Sequence, residues 1–233
     1  MTKTFTDTEF GEVTIHFRSI ASAIRVSVGT DGRLRASAPK FTPVAAVKLM
    51  VNTHRGKIRD LFKKSIAPTL YAHGQQVGKS HHIVVVPVAA TLKTSARTQG
   101  LNIIVRLPAG ESVTSPGVQR IIRDCIIDAL RREAKAHLPR RLAQLAAQHN
   151  YHYERVRFSH AGTRWGSCSS TGTISLNIAL MKLPDELIDY VLAHELAHTV
   201  HMNHSTAFWA EVRTLDPHYT LHRRQLRQQT PTI

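Results

Sequence analysis

Cysteine is scarce. The 233-residue chain has two, Cys125 and Cys168, and no C-x-x-C pair, so neither a disulfide framework nor a cysteine-built zinc site fits. Long apolar runs are missing as well: no stretch approaches the roughly 18 uninterrupted apolar residues a membrane helix needs. Residues 1–12 are polar and lack an apolar signal core, which together with the few cysteines predicts a cytoplasmic protein. There is no phosphate-cradling glycine loop, no evident internal repeat and no low-complexity segment. Acids are few. Lysine and arginine number 31 against 16 aspartates and glutamates, a formal net charge of +15 with a pI near 10.5. Such an excess attracts polyanions and makes nucleic acid a candidate partner. The basic residues are spread along the whole chain, however, and no nucleic-acid motif accompanies them. Arg131, Arg132, Lys135, Arg140 and Arg141 read as a solvated helix face.

Histidine is plentiful, with 15 residues, and its arrangement is the informative feature. His194-Glu195-Leu196-Ala197-His198 reads H-E-x-x-H. Chance gives roughly 0.03 such matches in a chain of this composition, so coincidence is a poor account of it. On a helix, His194 and His198 lie on one face, one turn apart, and can share a metal ion. Glu195 can then reach a water bound to that metal and take its proton, the apparatus of metal-assisted hydrolysis. Pro184, Asp185 and Glu186 form a helix start, with the acids at the positive end of the dipole. Leu187, Ile188, Val191, Leu192, Leu196 and Val200 predict a buried helix, where an unpaired histidine pair would be costly.

The third ligand follows from geometry. His201 on an unbroken helix would lie about 10.5 Å along the axis from His194, too far for one ion. The chain must bend, and Asn203 is a suitable helix-ending residue because it tolerates the left-handed conformation. His204 follows it, and Ser205 can cap a new helix carrying Phe208, Trp209 and Val212. His204 is therefore the expected third ligand, with Glu211 as the alternative, since a His-His-Glu set is also zinc chemistry. Three protein ligands leave a position open for water.

Thr163-Arg164-Trp165-Gly166-Ser167-Cys168, then Gly172-Thr173-Ile174-Ser175-Leu176-Asn177, then the H-E-L-A-H segment and Asn203-His204-Ser205 with Phe208-Trp209, together resemble the YgjP-like family of zinc metallopeptidases. That family belongs to the gluzincin-like zincins and is related to Spartan-type proteases. The resemblance is strongest over residues 150–227 and looser before. It implies one zinc per chain on His194, His198 and His204, with Glu195 as general base and a peptide or protein as substrate. It also implies a sheet edge beside the metal helix that receives substrate backbone, formed by the strands around residues 153–158 and 173–178. Arg164 and Asn177 are the candidate substrate contacts there. Trp165 is expected to pack on the core, and Cys168 to sit in a turn outside the ligand set.

Strand periodicity runs through residues 12–18 and recurs at Ile24, Val26 and Val28, and Asp31-Gly32 marks a hairpin turn. Thr42-Pro43 opens a helix expected to reach Lys64. Two strands follow at residues 83–88 and 101–107, joined by a polar connection. Residues 108–117, rich in proline, glycine and serine, suggest a boundary. A long helix from Val118 to about His149 is expected to kink at Pro139. The reading is an α+β fold: a β-rich N-terminal region over residues 1–110 and a zincin-like metallopeptidase core over 111–233.

Overall fold

The computed structural model describes residues 2–19, 21–29, 33–65 (backbone only from 63) and 70–233. The expected Asp31-Gly32 turn lies outside them. Two compact units divide the chain, Met1–Leu70 and Tyr71–Ile233.

In the first unit, β1 (Thr2–Asp7), β2 (Gly11–Arg18), β3 (Arg25–Val28) and β4 (Leu34–Pro39) form a sheet of order β1-β2-β4-β3. The outer pairs are antiparallel and the central pair is parallel. Alternate residues point inward: Val13 and Ile15 from β2, and Leu34, Ala36 and Ala38 from β4, are all buried. Val47 and Val51 of α1 (Val44–Thr53) and Ile58 of α2 (Arg55–Ser65) complete this core. The single helix expected from residue 43 is thus two. His54 leaves the helical basin (φ −110, ψ 23) while its N–H closes the first helix on the Met50 carbonyl. Arg55, just after the break, then bonds Asp7 at 2.9 Å and Glu9 at 2.8 Å.

The second unit opens with β5 (Gln76–Val77), β6 (His81–Val88), β7 (Ser95–Gln99) and β8 (Asn102–Pro108) in the order β5-β6-β8-β7. Antiparallel outer pairs again flank a parallel centre. The two four-stranded sheets therefore share one connection plan, each followed by a helix, although the sequence showed no repeat. Strand β7 lies within the stretch expected to be a plain connection. Its polar residues fit an edge strand with little burial.

Helix α3 (Pro116–Gln148) runs on through Pro139, with Leu138 and Leu142 fully buried on either side. It packs on β7, β8 and β9 (Arg155–Ser159) as well as on later elements of the same core. That explains why the compositional break at 108–117 is no division between units: it is the turn from β8 into α3, inside one continuous apolar cluster. Part of the basic surface of α3 is engaged within the fold. Arg141 pairs with Asp189, and Arg132 donates to Thr98 at 2.6 Å. Glu133, also on α3, is buried and accepts from the N–H groups of Lys79 and Ser80, the Ser80 hydroxyl and the His81 ring. A side chain at Gly78 (φ +62) would collide with the Glu133 carboxylate, so this turn requires glycine.

A third sheet, of order β10-β11-β9, joins β10 (Gly166–Cys168) antiparallel to β11 (Thr173–Asn177), and β11 parallel to β9. A 3-10 turn (Ile178–Lys182) leads to α4 (Asp185–Ala197), α5 (Thr206–Leu215) and α6 (Tyr219–Leu226). The whole is mixed α+β. Among the described residues no helix is long and apolar enough to cross a membrane.

Candidate metal centre

Helix α4 begins after Pro184 with Asp185 and Glu186 in its first turn, and it buries Leu187, Ile188, Val191, Leu192 and Leu196. This anchoring fixes His194 and His198, whose ring centroids are 4.9 Å apart. The helix ends at Ala197, earlier than expected. His201 N–H returns to the Ala197 carbonyl at 2.9 Å, and the Thr199 hydroxyl donates to the Leu196 carbonyl at 2.7 Å. Asn203 is not in the left-handed region; among the described residues other than glycine, Asn150 alone is. The bend is instead closed by these carbonyl returns. Ser205 then caps α5, its hydroxyl accepting from Phe208 N–H at 3.3 Å.

The bend brings His204 back onto the helix. Its Nε2 lies 3.2 Å from Nε2 of His194, and one nitrogen from each of His194, His198 and His204 falls within 4.8 Å of the others. Zinc bonds of about 2.0–2.1 Å in a tetrahedron put ligand nitrogens about 3.3 Å apart; the His194–His204 pair stands at that separation, and the wider spacing within the 4.8 Å cluster closes by a small rotation of the rings onto an ion. The donor set fits too. His198 Nδ1 lies 3.0 Å from the His201 carbonyl, to which Nδ1–H can only donate, leaving Nε2 with its lone pair. Phe208, fully buried, backs all three rings at centroid distances of 4.5–4.9 Å. Glu211, the alternative ligand, is committed elsewhere: its carboxylate accepts from the Tyr151 hydroxyl and sits 4.0 Å from His201.

Glu195 points to the sheet. A methyl group at Gly166 of β10 would lie 2.5 Å from its Oε1, so the edge strand and the carboxylate touch with no room to spare. Oε2 of Glu195 and Nδ1 of His194 are buried without a hydrogen-bond partner among the described residues. The unpaired oxygen of Glu195, on the helix that carries two of the imidazoles, is open to a partner from outside the chain.

The model of the YgjP-like, metallopeptidase domain matches residues 22–229. The chain belongs to the YgjP-like family. No curated protein matches the sequence significantly. Among solved structures, the crystal structure of the metallopeptidase zymogen of Pyrococcus abyssi abylysin is 28% identical, over 39% of this chain and 92% of that one, with a TM-score of 0.36. This YgjP-like chain is thus a metal-dependent hydrolase of a metallopeptidase family.

The electrostatics of the YgjP-like site suit metal binding. Burial pushes His194 down to about 3, helped by charge on His198, His204 and Arg223. Burial also lowers His198, against the bond to His201, with His204 adding to the depression. Both rings are therefore neutral, the state in which imidazole binds a metal. Burial pushes Glu195 up to about 8, opposed by the charge of Arg164. Burial and the nearby Glu195 push the Cys168 thiol up to about 11, which leaves it protonated.

Arg164 is exposed on the loop before β10, and its charge reaches Glu195. Asn177 differs from its expected role as a substrate contact. It is fully buried, donates to the carbonyls of Ala161 (2.6 Å) and Arg164 (2.9 Å), and accepts from Ala179 N–H (3.0 Å). With both amide hydrogens committed, it shapes the loop that carries Arg164. Trp165 packs on the core, as expected. The edge strand is β10, shorter than the strands read from sequence, and the hairpin is β10–β11, because β9 runs parallel to β11. Asp216 pairs with His222 at 2.7 Å.

Proposed function

We propose that the protein is a zinc-dependent peptidase in which His194, His198 and His204 hold one zinc ion and Glu195 is the general base. The observation that carries this reading is the convergence of three imidazole nitrogens beside a buried, partly unpaired glutamate on the metal helix. A zinc ion there would supply Lewis acidity, acidifying water and polarising the scissile carbonyl. The protein's own groups do the rest. The His201 carbonyl fixes the tautomer of His198, and Phe208 holds the three rings in one arrangement. Glu195 accepts the proton of the attacking water at its carboxylate and passes it to the departing amine. The free edge of β10 offers main-chain donors and acceptors to an extended peptide passing Glu195. Arg164, exposed beside that edge, is placed to meet the substrate.

The test is Glu195→Gln. It should keep zinc and fold while losing on the order of 100- to 10,000-fold in turnover of peptide substrates; an equally active variant contradicts the mechanism. Nucleic acid enters as a surface partner drawn by the net charge of +15. Such binding falls steeply with rising salt, and its absence at low salt removes this partner.

A further inference from the structure

A cavity of about 410 Å³ opens beside the histidine triad, lined by His204, Thr206, Trp209, Arg213, Tyr219 and Arg223. Its construction is specific. The Trp209 ring stacks on His204 at 5.6 Å and on Tyr219 at 5.6 Å. The guanidinium of Arg223 lies 4.3 Å from the Trp209 ring centre, and that of Arg213 lies 5.9 Å from Tyr219. Two exposed cations therefore stand over an aromatic floor, one ring removed from His204. No acid lines the cavity, and neither arginine pairs with a carboxylate among the described residues, whereas Arg55, Arg59 and Arg141 do. Stacking on a ring leaves the in-plane N–H groups of a guanidinium free, in the fork geometry that matches a carboxylate. The aromatic contacts also restrain the arginines before any ligand arrives, which lowers the cost of binding.

We propose that this cavity is a substrate subsite for a carboxylate, either the C-terminal carboxylate of a peptide or an aspartate or glutamate side chain near the scissile bond. The assignment rests on the peptidase reading above and names the substrate class for it. Arg213 and Arg223 supply the bidentate donors, and Trp209 and Tyr219 contact the apolar stem that carries the acid.

The experiment measures binding, so that it is separable from turnover. Full-length Glu195→Gln protein, loaded with zinc, is titrated against three fluorescein-labelled peptides of one sequence: internal Glu with an amidated C-terminus, internal Gln with an amidated C-terminus, and internal Gln with a free C-terminus. Fluorescence anisotropy at physiological ionic strength screens generic attraction to the basic surface. One or both acidic peptides should bind roughly 10- to 100-fold more tightly than the neutral one, and the arm that does so identifies the carboxylate. Arg213→Gln/Arg223→Gln should abolish the preference. Arg224→Gln/Arg227→Gln removes the same charge outside the cavity and should keep it. Arg223→Lys, which keeps charge without the planar fork, should lose part of the preference and serves if the glutamine pair does not fold. No preference in the parent protein, or equal loss in both double variants, overturns the subsite. Cleavage of neutral peptides alone would then leave the peptidase reading standing. Conversely, carboxylate preference in a chain whose wild type cleaves no peptide keeps the subsite and removes that reading.

Discussion

Gly166→Ala isolates the contact between the edge strand and the Glu195 carboxylate, the proposed general base. The added methyl would sit 2.5 Å from Oε1 of Glu195 and 2.8 Å from its Cγ and Cδ, about 1 Å inside ordinary van der Waals separation. The backbone at Gly166 is outside the left-handed region, so alanine carries no conformational strain there and the whole effect falls on this contact. Strand β10 is held by its pairing with β11. The Glu195 side chain, 4% exposed on a buried helix, is therefore the part that must move. A reacting group displaced by about 1 Å loses on the order of 100-fold in rate, or about 2.7 kcal/mol of transition-state stabilisation. Overpacking should cost about 1–3 kcal/mol of folding stability. The three histidines are untouched, so zinc content should not change. Gly162→Ala, with nothing within 4 Å of the new methyl, is the control for the same loop. Steady-state kinetics on a peptide substrate, zinc content and a thermal melt on all three proteins decide the matter. A folded, zinc-loaded Gly166→Ala enzyme with wild-type kcat would refute the placement of Glu195 against β10 as the working geometry.

Two other perturbations probe the supports of the site. Phe208→Ala removes the fully buried ring beneath the three imidazoles and should cost about 3–5 kcal/mol; urea denaturation would show it, and zinc affinity should fall with it. Glu133 is raised by its burial but held below its ordinary value of 4.5 overall, because hydrogen bonds from Lys79, His81 and Ser80 outweigh that burial. A depressed carboxylate contributes stability that is complete above its unfolded pKa and is lost as pH falls through its lower folded value. Glu133→Gln should therefore lower the urea midpoint at neutral pH and flatten the acid side of the stability profile; an unchanged acid limb would contradict this.

The centre was legible because metal chemistry constrains spacing. Two histidines four apart on a helix, and the impossibility of His201 on the same helix reaching the same ion, point to His204, which the fold brings beside His194 and His198, and Ser205 caps the next helix as its residue type suggests. What sequence could not show was how the bend forms. Asn203 offered a local explanation, but returns to the carbonyls of Leu196 and Ala197 close the turn, and these depend on backbone path. Strand β10 has three residues, too few for a period, and β7 is polar because one edge of its sheet is open. The unit boundary was misplaced for a related reason. Proline and glycine at residues 108–117 mark a sharp turn, and only the packing of α3 on β8 reveals that the turn lies inside a core. Asn177 looked like a substrate contact because polar residues beside a site attract that reading, yet burial commits both its amide hydrogens. The Arg213–Arg223 cavity is assembled from two helices, and no linear pattern announces it. Gly166 stood within the family motif, but its need for glycine appears only when Glu195 is seen against it.

We propose that His204, and not Glu211, completes a one-zinc site. Elemental mass spectrometry of the purified wild type, His204→Ala and Glu211→Ala tests it directly. About one zinc per chain is expected in the wild type and in Glu211→Ala, with a marked loss in His204→Ala. Full zinc in His204→Ala with loss in Glu211→Ala, or a wild-type chain that cannot be loaded with zinc, would contradict it.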